Sequence, residues 1–158
     1  MVGLRHASLI IPRSDFKKLH VWQKAHALSL CIDRISKQIR GKQYASLRSQ
    51  IFRAATSIPA NIAEGRRKES EKEFARFLRY ALNSSSELEY HLILAHDTKV
   101  ISEEDFRSLI TQTIRLRKML YALLKRLSDT DGKSPAQVRA HPTARPEPTA
   151  GPPSAPGR

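Results

Sequence analysis

Apolar residues recur every three and four positions along most of this chain. That spacing restricts it to helices packed lengthwise against one another. In one stretch Phe74, Leu78, Ala81, Ser85, Leu88, Leu92 and Ala95 share a stripe. In the next, Phe106, Leu109, Thr113, Leu116, Leu120, Leu123 and Leu127 repeat the pattern. Two earlier stretches read the same way. From about Asp15 to Ile39 the stripe holds Phe16, Leu19, Trp22, Leu28, Ile32, Ile35 and Ile39. From about Tyr44 to Glu64 it holds Tyr44, Leu47, Ile51, Ala54, Ile58 and Ile62. No segment alternates convincingly at period two, so no sheet is expected.

The ends carry their own signals. Ser14 or Asp15 can cap the first helix, and Gly41 follows it. Pro59 lies inside the second and cannot donate to the carbonyl of Ala55, which predicts a kink. The polar side chains of Asn61 and Glu64 are expected to answer the freed groups, with Gly65 as the stop. The third helix opens with the capping box Ser70-x-x-Glu73, and the fourth with Ser102 and Asp105. Short connections then make the fold all-α, an up-down-up-down antiparallel four-helix bundle with a disordered Pro-rich C-terminal tail. The boundaries are an N-terminal extension over 1–14, the bundle over 15–127 and the tail over 128–158. Ile10, Val21, Leu30, Phe52, Phe77, Leu82 and Ile114 form a second apolar set. It reads equally as a subunit interface or as a wide core-facing stripe.

Charge narrows the function. The chain has 28 Lys+Arg against 15 Asp+Glu, a formal net charge of +13. Residues 15–67 are the basic half. Such a surplus attracts polyanions, nucleic acid above all. The single cysteine, Cys31, excludes an internal disulfide and cysteine-rich zinc sites, and reads as a packed thiol. No apolar run is long enough for a membrane span, and a cytoplasmic protein is expected.

Three strings carry a family resemblance. Asp15-Phe-Lys-Lys-Leu-His-Val-Trp-Gln-Lys-Ala25 opens the first helix. Ser49-Gln-Ile-Phe-Arg-Ala-Ala-Thr-Ser-Ile-Pro-Ala-Asn-Ile-Ala-Glu-Gly65 fills the second. Phe74-Ala-Arg-Phe-Leu-Arg-Tyr-Ala-Leu-Asn-Ser-Ser-Ser-Glu-Leu-Glu89 lies in the third. Over roughly 15–127 the chain resembles the four-helix-bundle proteins encoded in 23S ribosomal RNA intervening sequences. Those are similar in fold to the Avd accessory proteins of diversity-generating retroelements. The resemblance implies a ring-like homopentamer and, from the retroelement relatives, binding to a reverse transcriptase and to RNA or DNA. Two departures stand out: the short Gly41-Lys-Gln link, and Asn83 where the family has Gly.

The candidate nucleic-acid contacts are Lys17, Lys18, Lys24, Arg40, Lys42 and Arg48, the loop Arg66, Arg67 and Lys68, and Arg115 and Lys118. Contacts of this type go to phosphates and read charge and shape rather than bases. The loop cations precede the N-terminus of the third helix and read equally as a phosphate site or as a solvated basic loop. Arg53, Asn61, Glu64, Glu87 and Glu89 are read as a structural polar network, with Arg53 reaching Glu87 or Glu89 across the bundle. No histidine pair has metal-ligand spacing, and no nucleophile has an activating partner. Arg13 and His20 have the loose spacing of HEPN ribonucleases, but too early in the chain. No catalysis, metal or cofactor is expected. The alternative reading is a protein–protein scaffold for an acidic partner without nucleic acid.

Overall fold

The computed structural model describes residues 15–131, with side chains described to Asp129. The N-terminal extension and most of the Pro-rich tail lie outside the described residues. Four α-helices follow in order: α1 (His20–Ser36), α2 (Ala45–Arg66), α3 (Glu71–Asp97) and α4 (Glu103–Asp131). Each packs on its chain neighbours and α4 returns to α1, which closes a four-helix bundle. The described residues contain no strand.

The stripes form the core. Leu28, Ile32, Ile58, Ile62, Leu78, Leu88, Leu92, Leu109, Leu116 and Leu120 are all essentially inaccessible. Burying a side chain of this size stabilises by about 1.5–3 kcal/mol. Both predicted caps are made. The Glu73 amide donates to Ser70 Oγ at 3.1 Å, and the Asp105 amide donates to Ser102 Oγ at 3.1 Å. Of the second apolar set, Val21, Phe77 and Leu82 are buried and so belong to the core side. Leu30, Phe52 and Ile114 are exposed, and Ile10 lies outside the described residues.

Four local expectations are corrected. First, the leading helix starts at His20 rather than Asp15. Residues Phe16–Lys18 form a 3-10 turn and Leu19 is extended. Phe16 packs edge-on against Trp22 at 5.0 Å, with Arg67 above its ring, so the chain bends to reach the α2–α3 turn. Second, this helix ends at Ser36. The chain continues in tight turns that still bury Ile39, and Gly41 follows at φ +96, a conformation that only glycine adopts without strain.

Third, Gly65 does not stop α2, which runs to Arg66. It is glycine because α3 crosses it closely. A Cβ there would lie 2.6 Å from Phe77 Cβ and 2.9 Å from Phe74 Cδ2. Fourth, Pro59 is answered from another helix. Ser29 Oγ of α1 donates to the freed Ala55 carbonyl at 2.9 Å, while Asn61 bonds to Ser57. The fourth helix also runs past Leu127 to Asp131.

The α3–α4 turn is a Schellman motif. The Lys99 amide donates to the His96 carbonyl at 2.9 Å and the Val100 amide to the Ala95 carbonyl at 3.0 Å. Lys99 fills the left-handed position, φ 60, where glycine is usual.

Candidate nucleic-acid interface

Helices α1 and α4 run antiparallel, so the N-terminal half of α1 lies beside the C-terminal half of α4. Both segments are basic. Two hollows open along the seam between them. One, of about 430 Å³, is lined by Lys18 and His20 from α1 and its lead-in and by Arg126 from α4. The other, of about 260 Å³, is lined by Lys24 and Arg115. Lys17 and Lys118 are exposed on the same two segments. Lys18 pairs with Asp15 at 3.2 Å. Among the described residues, no carboxylate pairs with Lys17, Lys24, Arg115 or Lys118.

A second basic hollow, of about 590 Å³, lies at the α1–α2 turn. Lys37, Arg40, Lys42 and Arg48 line it around Gly41. Lys37 is held by Asp33 at 2.6 Å, and Arg48 donates to the Ile39 carbonyl at 2.9 Å. Arg48 therefore closes the end of α1, while Arg40 and Lys42 stand exposed.

The loop cations lie against aromatic rings. Arg66 lies over the Phe74 ring at 5.6 Å, Arg67 over Phe16 at 5.3 Å and Lys68 over Phe77 at 5.0 Å. Lys68 also pairs with Glu64 at 3.3 Å. The α3 terminus they precede is capped by Ser70 and carries Glu71 and Glu73 in its first turn. An incoming phosphate would meet these carboxylates. The three cations fasten the α2–α3 turn to aromatic rings, each contact worth about 0.5–1 kcal/mol when exposed.

The five residues read as one polar network are dispersed. Arg53 is exposed and, among the described residues, in no ion pair. Glu64 faces Lys68, and Glu87 lies 3.7 Å from His91 on its own helix. Only Glu89 reaches across the bundle, and its partner is Arg117 of α4. Arg117 Nη2 also donates to the Ser85 carbonyl at 3.2 Å. The pairing follows from level: Arg117 of α4 faces α3 at Ser85 and Glu89. A separate hydroxyl seam joins α2 to α3, with Ser84 Oγ donating to Ser57 Oγ at 3.0 Å. Spacing within one helix could not reveal these cross-helix pairs.

Other titratable groups pair at the α3–α4 turn. His96 Nε2 meets Glu103 Oε2 at 2.6 Å, and Arg107 holds the other oxygen at 2.6 Å. The Arg107 hydrogen bond, then that of His96, hold the Glu103 carboxyl below its usual value. His20 is exposed at the start of α1, and Arg13 lies outside the described residues. Cys31 is partly buried against the core. Among the described residues, no three His, Cys, Asp or Glu side chains gather where a metal ion could be held. No described helix is long and apolar enough to cross a membrane.

Comparison with known proteins agrees with this architecture. The family described as 23S rRNA-intervening sequence protein matches residues 17–122. A solved structure from Bacteroides thetaiotaomicron, described as a protein of unknown function from the S23 ribosomal protein family, superposes with a TM-score of 0.63. It is 30% identical over 66% of this chain and 98% of its own. No curated protein matches.

Proposed function

Because the chain belongs to the 23S rRNA-intervening sequence protein family, we propose that it is a non-catalytic, homo-oligomeric bundle that binds nucleic acid along the seam of α1 and α4. One observation carries this reading. Lys18, Lys24, Arg115 and Arg126 converge from two helices on adjoining hollows, so the positive charge is concentrated rather than scattered. The sparse contact between α1 and α4 leaves room for a backbone to lie between the cations. The hollow at Arg40 and Lys42 extends the basic surface at the turn of the same helix.

The family's name favours RNA over DNA, and ribosomal RNA over a reverse transcriptase, as the partner. Self-association falls to another surface. Tyr80, Tyr90, Ile93 and Leu94 of α3, with Ile114 and Tyr121 of α4, are large apolar side chains left exposed. Joining these faces around a ring of five would repeat the basic seam in every protomer, and the repeats would act together.

The test is a titration of the full chain against a structured RNA and a duplex DNA at several salt concentrations. Each phosphate neutralised contributes about 0.7–0.9 to the slope of log affinity against log salt. Four engaged cations give a slope of about 3 per protomer by that rule. Absence of binding near physiological salt would discard this function and turn the surplus charge towards an acidic protein partner.

A further inference from the structure

The outer face of α1 and α2 carries a groove of about 440 Å³ that is unlike the rest of this basic half. Its lining is apolar: Trp22 and Leu30 on the α1 side, Phe52, Pro59 and Ala63 on the α2 side. Leu30 is 60% exposed and Phe52 42% exposed, so the face is uncovered. His26 stacks on Trp22 with ring centroids 5.0 Å apart, which fixes the indole as one wall. Asp33 is the one charged side chain in the lining. No lysine or arginine is part of the lining.

The position of the groove names its occupant. Phe16 lines one end of it, and the described chain begins one residue earlier at Asp15. The residues just before are Leu9, Ile10, Ile11 and Pro12, three large apolar side chains followed by a proline. A residue before proline is driven towards extended backbone, the form suited to a groove between two helices. We propose that this groove is the docking site of the chain's own N-terminal segment, with Leu9, Ile10 and Ile11 laid against Trp22, Leu30 and Phe52.

Reach allows it. From Phe16 back to Ile10 an extended chain spans at most about 20 Å. Along α1 the groove from Trp22 to Leu30 is about 12 Å long. A second copy of the chain would have to bring its own apolar segment from solution. The tethered one is present at an effective concentration on the order of millimolar. This inference stands apart from the proposed function, since it concerns a face without cations. It brings Ile10, Leu30 and Phe52, three members of the second apolar set, into one contact within the chain.

Cross-linking tests it directly. In the full chain with Cys31→Ser, Ile10→Cys is combined with Leu30→Cys, and oxidation is followed on non-reducing gels and by peptide mapping. The expected result is a disulfide within one chain, forming at least tenfold faster than in a control that pairs Ile10→Cys with Tyr90→Cys. Equal rates in the two pairs, or a product that links two chains, would overturn docking in the same chain. Trp22, the chain's single tryptophan, gives an independent readout. Ile10→Asp with Ile11→Asp should shift its emission to the red and raise quenching by acrylamide while helicity holds. Unchanged emission and quenching would overturn the proposal.

Discussion

The α2–α3 pair and the α1–α4 pair are both antiparallel seams of one bundle, yet one is closed by small side chains and the other is left open beside long cations. At α2–α3 the helices meet through Gly65, the Ser57–Ser84 hydroxyl pair and Ala81. Gly65 lets Phe74 and Phe77 of α3 lie directly on the α2 backbone, and this is the most extensive helix contact among the described residues. At α1–α4 the residues flanking the seam are Lys18, Lys24, Arg115 and Arg126, whose stems fence hollows instead of filling them. The same fold thus divides its labour. One seam supplies stability, and the other spends packing on a charged surface. Adding lysine or arginine at a seam costs close approach, because the ammonium or guanidinium must stay hydrated.

That contrast can be broken most forcefully at Gly65. Gly65→Ala puts a methyl into the Cβ of Phe77, which is fixed to the α3 backbone and cannot swing aside. Overpacking of this kind costs about 1–3 kcal/mol, and the upper end is expected because backbone would have to move. Urea unfolding would show it as a lower midpoint. An unchanged midpoint would mean that the seam is looser than described.

Next in size is Arg117, whose guanidinium on α4 pairs with Glu89 of α3. Arg117→Met leaves the partly buried Glu89 without its cation and the Ser85 carbonyl without its donor. Removal of a hydrogen bond to a charged group costs about 1.5–3 kcal/mol, and the lower end is expected at this partial exposure. Double substitution with Glu89→Gln should recover part of the loss, and a double-mutant cycle in denaturant would measure the coupling. Additive losses would show the pair to be independent.

A smaller change of opposite sign is expected at the α3–α4 turn. Lys99→Gly relieves a left-handed residue, worth about 1–2 kcal/mol, against the greater unfolded freedom of glycine, about 0.4–1 kcal/mol. Thermal unfolding should rise by a few degrees, and a fall would contradict the assigned turn. The smallest effect concerns acid. Glu103 has a folded pKa below its ordinary value, so its contribution is complete above that ordinary value and is lost as pH falls through the lowered one. Glu103→Gln should flatten the acid limb of the stability profile and leave neutral pH nearly unaffected.

Much of this was legible from residue order. The stripes named Leu28, Ile58, Leu78 and Leu116 as core, and Ser70 and Ser102 as caps, because helical periodicity and capping are local rules. Local rules misplaced what depends on a second helix. Gly65 reads as a stop until Phe77 is seen beside it. The Ala55 carbonyl has an evident vacancy in the sequence, but Ser29 fills it from 26 residues away. Arg53 and Arg117 are alike as letters, and only the relative level of α3 and α4 selects Arg117 for Glu89. For the candidate interface the sequence supplied the cations but not their grouping. Lys24 and Arg115 became neighbours through topology, while Arg66, Arg67 and Lys68 were drawn to aromatic rings.

The most direct test sets one surface against the other at equal charge. Lys24→Glu with Arg115→Glu alters the α1–α4 seam, and Lys72→Glu with Arg79→Glu makes the same charge change on exposed positions of α3. Affinity of each full chain for a structured RNA is then measured at several salt concentrations around physiological. The seam variant should lose more than about tenfold, equivalent to about 1.4 kcal/mol, with a shallower salt slope, while the α3 variant loses only a small part of that. Equal losses in the two variants would contradict a localised interface and leave only the net charge of the molecule to explain binding.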